Sequence, residues 1–153
     1  MLEFPTRIPF ADLLGIRLMR YENGEADVWF DPAAEVLNSW GVIHGGAQLT
    51  LIDICMSHAA RSAAASTSDD VRGAATIELK TSFMRPGVGP LTAKGRVLHR
   101  TATLAFCEGS IFDSKNELIS HATGTFKFMR ALPGGDRKVH ALNAPQARSK
   151  EQS

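Results

Sequence analysis

The sequence predicts an α+β fold in which one curved antiparallel sheet wraps around a single long helix. Residues 45–65 are the only stretch with the length of a long helix, and their apolar side chains fall on every side of it. A helix that is apolar all round is typically buried. Much of the remaining chain alternates apolar and polar residues, which is typical of strands. A buried helix needs cover on all sides, and a curved sheet provides it.

The region before the helix predicts a short helical segment and a hairpin. Residues 8–14 are a brief apolar stretch that suits one or two helical turns. Residues 16–21 and 25–30 are apolar-rich runs on either side of Asn23-Gly24. Asn-Gly between two such runs favours a hairpin, because both residues tolerate a positive φ angle.

After the helix, the period of two predicts four more strands. The first begins at Ala74 and ends before Arg85-Pro86-Gly87, where proline and glycine favour a turn. The last two are joined by residues 113–117, a loop that suits a hairpin. The other predicted strands cover residues 91–100, 104–112 and 118–128.

Composition indicates one domain of ordinary size. The 153 residues are 44% hydrophobic and 22% charged, which suits a globular core and excludes a disordered chain. We therefore predict a single domain over residues 1–130. Residues 131–153 contain no aromatic residue and show no periodicity, so we predict a mobile tail there.

The net charge and the two cysteines argue against nucleic acid, a membrane surface and a metal ion as partners. The formal net charge of +1 gives no reason to expect nucleic acid or an anionic membrane surface. Cys55 and Cys107 lie in apolar segments without metal-ligand spacing, so we expect a reduced, cytoplasmic protein with no metal and no cofactor. Residues 1–10 lack the apolar core of a signal peptide, and the longest uncharged run, residues 36–52, is too polar to span a membrane.

Asp53 is an acidic residue in the middle of the predicted buried helix. An ionised carboxylate in apolar surroundings is costly unless it is paired or solvated, and no basic residue lies three or four positions away. One interpretation is a reactive carboxylate that faces a cavity. The other is structural: Asp53 hydrogen-bonds the Thr50 or Ser57 hydroxyl, or pairs across an oligomer interface.

The chain enters this helix through His44-Gly45-Gly46. Two glycines let the backbone approach a ligand closely, and the first N–H groups of a helix have no partner inside it. Such N–H groups, together with the helix dipole, stabilise an anion or a developing oxyanion. The alternative is a tight turn in which glycine merely permits a positive φ angle.

Together these residues resemble a known family. The pattern Asn38-x-x-Gly41-x-x-His44-Gly45-Gly46, with Asp53 nine residues after the histidine, resembles the PaaI-type branch of the hotdog-fold acyl-CoA thioesterases. Residues 76–86, which end in Arg-Pro, and residues 122–126 are similar to two strands of that family. The resemblance covers residues 12–128, most of the chain.

The resemblance implies a hotdog fold, a homodimer with two sites at the subunit interface, and a homotetramer built from such dimers. Asp53 would be the catalytic carboxylate, acting as nucleophile or as general base on water. The Gly45 N–H would polarise the thioester carbonyl oxygen. Asn38 would hold the attacking water or the carboxylate, and His44 would orient the loop. Ser57 matches a position where the family often has a hydroxyl.

The substrate implied by the resemblance is an acyl-CoA with an aromatic or a short to medium acyl group. The predicted substrate-binding residues are Gly46, Arg85, Arg100 and Thr101, the last three near the CoA phosphates. Surface arginines are common, so a purely structural role for the two arginines is an equal alternative. A thioester is already activated, so an oxyanion donor and a base or nucleophile suffice for its hydrolysis.

Three alternatives compete with this interpretation. A triad of Asp53, Ser57 and His58 is disfavoured, because residues 57 and 58 point about 100° apart on one helix. A hotdog hydratase or dehydratase would need other arrangements of acid and histidine. A non-catalytic acyl-CoA binding module would gain nothing from a buried charge at Asp53.

Overall fold

The structure, a computed structural model, describes residues 1–65 and 73–130. Two predictions lie outside the described residues: the polar residues 66–70 are expected to end the long helix, and residues 131–153 are expected to form the mobile tail. The helices are α1 (Pro9–Leu14) and α2 (Gly45–Ala65), with a 3-10 turn at Ala34–Val36 between them. The strands are β1 (Arg17–Glu22), β2 (Glu25–Phe30), β3 (Gly73–Phe83), β4 (Leu91–Arg100), β5 (Leu104–Asp113) and β6 (Leu118–Met129).

The six strands form one antiparallel sheet in the order β1-β2-β4-β5-β6-β3, and α2 packs against one face of it. This arrangement confirms the predicted α+β fold. Strand β3 follows α2 in sequence but joins the far edge of the sheet beside β6. As an edge strand it is poorly covered, since the Ile77 and Phe83 side chains are 59% and 52% exposed.

Two glycines of the sheet let α2 approach the strands closely. Gly95 on β4 and Gly109 on β5 are paired neighbours that both face the helix. A Cβ atom at Gly95 would lie 3.1 Å from the Cys55 Sγ atom, and one at Gly109 would lie 3.0 Å from the Met56 Cγ atom. The middle of α2 therefore rests on the main chain of the sheet. Asp53 lies about 200° around the helix from Cys55, on the side turned away from these glycines.

Most of α2 is buried, as its composition predicts. The residues that are not fully buried include one partly open stripe along the helix, at Gly46, Leu49, Asp53 and Ser57, and several others near the two helix ends. Within residues 1–65 and 73–130, no helix combines the length and apolar character needed to cross a membrane.

His58 is a buried histidine on the other side of α2. Its ring is 2% exposed and packs edge-on against the rings of Phe4 and Tyr21, at centroid distances of 5.0 and 6.2 Å. The Nδ1 atom lies 2.7 Å from the Ile54 carbonyl oxygen, so Nδ1 carries the proton and donates it. Among the described residues Nε2 has no hydrogen-bond partner. Burial lowers the pKa of His58 to about 4, and the nearby Arg61 charge adds to this effect.

Because of this burial, the free energy of unfolding should depend on pH through His58. The unfolded chain binds a proton near the usual pKa of 6.5, whereas the folded chain binds it only near 4. The stabilisation is therefore fully present above pH 6.5 and is lost as the pH falls toward 4, by about 3 kcal/mol. Urea unfolding of the parent and of His58→Leu at pH 7 and pH 4 measures this difference. The exposed His99 provides the control variant His99→Leu, and equal pH dependence in parent and His58→Leu would contradict the prediction.

Candidate active site

His44 caps the N-terminus of α2. Its Nδ1 atom accepts a hydrogen bond of 2.8 Å from the Gly46 N–H, and its own backbone N–H donates to the Val36 carbonyl oxygen at 2.9 Å. The ring is thereby held between the helix and the preceding loop. Nδ1 must be unprotonated to accept this bond. This geometry suits the orienting role implied for His44.

The Gly45 amide is the N–H that remains available at this helix end. Gly45 is the first residue of α2, and its N–H has no hydrogen-bond partner among the described residues. The Phe83 ring lies beside it, with a carbon atom 3.5 Å from the position of a Cβ at Gly45. An unpaired N–H at the positive end of a helix dipole suits an oxyanion.

The two glycines of the motif therefore have different roles. The Gly46 N–H is already bonded to the His44 ring, and the predicted contact between Gly46 and substrate stays a prediction. A Cβ at Gly46 would lie 3.0 Å from the His44 Nδ1 atom, so glycine is needed there for the cap. Neither Gly45 nor Gly46 has a positive φ, and the explanation of these glycines as turn residues is wrong. The positive φ of this loop, 74°, belongs to Gly41.

Asn38 shapes the loop that leads to the helix. Its Oδ1 atom accepts hydrogen bonds from the backbone N–H groups of Trp40 and Val42, at 3.0 and 3.3 Å. Its carbonyl oxygen accepts a bond of 2.9 Å from the Gly41 N–H. The side-chain oxygen is thus engaged within the loop, and the predicted role of Asn38 toward water or the Asp53 carboxylate stays a prediction.

The half-buried Asp53 carboxylate is held by a residue of β3. The Thr76 hydroxyl donates a hydrogen bond of 2.7 Å to the Asp53 Oδ1 atom. The proposed bonds from Thr50 and Ser57 to Asp53 are wrong, because both hydroxyls bond backwards to carbonyl oxygens of their own helix. Ser57 does lie one turn after Asp53, on the same partly open stripe.

The electrostatic environment makes Asp53 more basic than an ordinary aspartate. Burial raises the pKa of its carboxyl group, and the hydrogen bond from Thr76 partly opposes this effect. No salt bridge to Asp53 is found among the described residues, so no cation holds the pKa down. A carboxylate with a raised pKa is a better proton acceptor near neutral pH.

The sequence also matches a known family over this region. A family profile described as the thioesterase superfamily covers residues 41–120, which is more than half of the chain. The match includes the helix entrance, Asp53 and the strands that flank them. The chain belongs to the thioesterase superfamily.

Individual relatives agree with this membership. A candidate esterase of Saccharolobus solfataricus, SSO2140, is 31% identical over 118 residues, which cover 76% of this chain and 81% of the relative. The medium/long-chain acyl-CoA thioesterase YigI of Escherichia coli is 25% identical over 135 residues, covering 80% and 87%. The structure of the E. coli PaaI protein superposes with a TM-score of 0.72 at 23% identity, covering 80% and 85%. The resemblance to hotdog-fold thioesterases is confirmed, and the protein is a thioester hydrolase.

The thioesterase does not assemble the Asp53, Ser57 and His58 triad. The Ser57 hydroxyl donates to the Ile54 carbonyl oxygen at 2.9 Å, and the His58 ring is buried against Phe4. The two side chains therefore do not meet. Among the described residues, no group of three or more histidine, cysteine or acidic side chains is arranged to hold a metal ion.

The other predicted contacts of the thioesterase lie apart from Asp53. Arg100 donates to the Ala63 carbonyl oxygen at 2.6 Å, near the C-terminal end of α2, and its guanidinium lies over the Phe128 ring. The Thr101 hydroxyl accepts backbone N–H bonds within the β4–β5 turn. Arg85 donates to the Leu118 carbonyl oxygen and lies two residues after the end of β3. Contact of these three residues with CoA stays a prediction.

Thr76 should tune the pH dependence of turnover. Its hydrogen bond stabilises the ionised Asp53, so Thr76→Val should raise the Asp53 pKa further above its usual value. The role predicted for Asp53 requires its ionised carboxylate, so we expect the acid limb of kcat/KM to move to higher pH in Thr76→Val. The more conservative Thr76→Ser keeps the hydroxyl, so its acid limb should lie at the same pH as that of the parent. An unchanged limb in Thr76→Val would show that Asp53 ionisation does not control turnover.

Proposed function

We propose that the protein is an acyl-CoA thioesterase in which Asp53 and the Gly45 N–H act on the thioester. This proposal rests on the hydrogen bonding at the N-terminus of α2. The His44 ring accepts the Gly46 N–H, whereas the Gly45 N–H has no partner among the described residues. A half-buried carboxylate of raised pKa on the same helix supplies the second group.

Hydrolysis needs only these two groups. As general base, Asp53 takes a proton from water while the water oxygen bonds to the thioester carbon, and the Gly45 N–H stabilises the oxyanion. The carbon–sulfur bond then breaks, and the CoA thiolate takes up the proton that Asp53 removed from water, which restores the carboxylate. As nucleophile, Asp53 would instead form an acyl anhydride that water hydrolyses. Both routes release the free acid and CoA.

The site is completed by a second copy of the chain. Gly45 and Asp53 lie eight residues apart on one helix, which separates them by roughly 12 Å along its axis. Groups that act on one carbonyl must lie about 3 Å from the reacting atoms, so the two groups of one chain cannot share a thioester. We propose a homodimer in which the Gly45 N–H of one copy faces Asp53 of the other. The open stripe of α2 and the exposed edge strand β3 support this arrangement.

Mixing two inactive variants tests this shared site. Asp53→Asn removes the carboxylate and Gly45→Pro removes the N–H. A mixed dimer then contains one intact site, so refolding the two variants together should restore about a quarter of the parental turnover. Light scattering reports whether dimers, or the tetramer that the family resemblance implies, have formed. No recovery in mixed dimers would place both groups in one chain and overturn the shared site.

The substrate class is tested by released thiol over a panel of acyl-CoAs. We propose an aromatic or a short to medium acyl group, and the longer chains named for YigI extend the panel. Binding is followed separately by calorimetry with Asp53→Asn. Binding without release of thiol by the parent would favour the non-catalytic module, and addition of water to an enoyl-CoA would favour a hydratase. The free, buried cysteines Cys55 and Cys107 support the proposed cytoplasmic location.

A further inference from the structure

Gln48 is a buried polar residue in the first turns of α2. Its side chain is 4% exposed, and both of its polar atoms are paired. The Oε1 atom accepts a hydrogen bond of 2.7 Å from the Ser120 hydroxyl on β6, and Ser120 is itself fully buried. The Nε2 atom donates to the Ile43 carbonyl oxygen at 3.2 Å. Burial of an amide is unfavourable unless such bonds are made, so this side chain has a defined orientation.

The bond to Ile43 connects Gln48 with the entrance of the helix. Ile43 directly precedes the capping residue His44, and its N–H donates to the Gly87 carbonyl oxygen at 2.9 Å. A Cβ at Gly87 would lie 3.3 Å from the Gln48 Nε2 atom. The Gln48 amide therefore bonds both the loop before α2 and strand β6, and it packs closely against Gly87 in the β3–β4 loop.

We propose that Gln48 is a positioning residue that sets the direction of the Gly45 N–H. The Gly45 peptide lies between His44 and the first turn of α2, so a shift of Ile43 or of the helix start redirects its N–H. An oxyanion donor is effective only within a narrow range of positions. An apolar side chain would fill the space of Gln48 without fixing the Ile43 carbonyl oxygen. The inference rests on the proposed function, because it assigns Gln48 to the same site.

The test compares Gln48→Met with Ser62→Ala. Methionine has a similar shape but cannot bond Ile43 or Ser120, and we expect kcat to fall about tenfold with KM changed less than about twofold. Ser62 is the matched control, because it is 4% exposed and its hydroxyl accepts the Gly24 N–H at 3.0 Å near the opposite end of α2. Ser62→Ala should lower the unfolding temperature without lowering kcat.

The double variant Gln48→Met with Ser120→Ala distinguishes an effect on the position of the Gly45 N–H from an effect on the stability of the fold. Removing both partners avoids an unpaired hydroxyl, so the unfolding temperature should rise above that of Gln48→Met. The value of kcat should stay low, since the Ile43 carbonyl oxygen still lacks its hydrogen bond from residue 48. Recovery of kcat together with stability, or equal kcat in Gln48→Met and the parent, would overturn the proposal.

A measurement that needs no turnover completes the test. The Gly46 amide proton is bonded to the His44 ring, and in ¹H–¹⁵N spectra its resonance should move upfield in Gln48→Met as that bond lengthens. The Gly24 resonance, far from the entrance, serves as the internal reference. An unmoved Gly46 resonance would contradict the positioning role. If the parent hydrolyses no thioester, the proposed function fails, whereas the resonance still decides whether Gln48 holds the helix entrance.

Discussion

Gly45→Pro is expected to lower kcat by about 10²- to 10³-fold while the chain keeps its fold. Proline lacks the backbone N–H, so the substitution removes the proposed oxyanion donor. Loss of one such donor has an effect of about this size in other hydrolases. Proline is favoured at the first position of a helix, which is where Gly45 lies. Released thiol measures kcat, and circular dichroism checks that the fold is retained.

Gly45→Ala is the matched control for this experiment. Alanine keeps the N–H, and its Cβ would lie 3.5 Å from the Phe83 ring, which is ordinary van der Waals contact. The backbone of Gly45 has no positive φ angle, so alanine introduces no strain there. We expect kcat of Gly45→Ala within a few fold of the parent. A folded Gly45→Pro variant that matches Gly45→Ala in kcat would remove the Gly45 N–H from the mechanism.

Asp53→Asn is expected to lower kcat by about 10²-fold or more. Asparagine has the same shape and can still accept the hydrogen bond from Thr76 through its amide oxygen. It can neither take a proton from water nor form an acyl anhydride. The loss should therefore appear in kcat, while the dissociation constant of an acyl-CoA changes little.

Asp27 offers a matched control for the charge of Asp53. It lies on β2, and burial raises the pKa of its carboxyl group as well, opposed there by Lys94 and Arg20. Asp27→Asn thus removes a half-buried carboxylate of similar character on β2, which β4, β5 and β6 separate from β3 and its contact with Asp53. We expect its kcat to equal that of the parent. Turnover of Asp53→Asn within a few fold of the parent, or an equal loss in both variants, would show that Asp53 has no chemical role.

The sequence predicted the fold well because its local patterns and its tertiary packing agree. The Asn23-Gly24 pair forms the expected hairpin turn, and both residues have positive φ angles, 49° and 81°. Strand β4 covers the predicted residues 91–100, and helix α2 begins at Gly45 as predicted. Where burial, turn chemistry and periodicity all favour the same element, one sequence suffices.

The candidate site could be predicted only in part, because some of its contacts depend on tertiary geometry. The sequence indicated Asp53 and the two glycines as candidate residues, because an acidic residue in an apolar helix and glycines at the helix start can be recognised from neighbouring residues alone. The Thr76 contact was missed, because a register shift between Thr76 and Glu78 interrupts the alternation of β3. The pairing of Gln48 with Ser120 spans 72 positions in the sequence, and no local pattern reports it.

The close seating of α2 on Gly95 and Gly109 has a mechanical consequence. Main-chain atoms cannot rotate away as side chains do, so a methyl group added at Gly95, 3.2 Å from the main-chain carbon of Cys55 and the main-chain nitrogen of Met56, would displace the helix by tenths of an ångström. Such a displacement moves the carboxylate and the helix tip together. The positions of the Asp53 carboxylate and the Gly45 N–H therefore depend on the absence of side chains at Gly95 and Gly109.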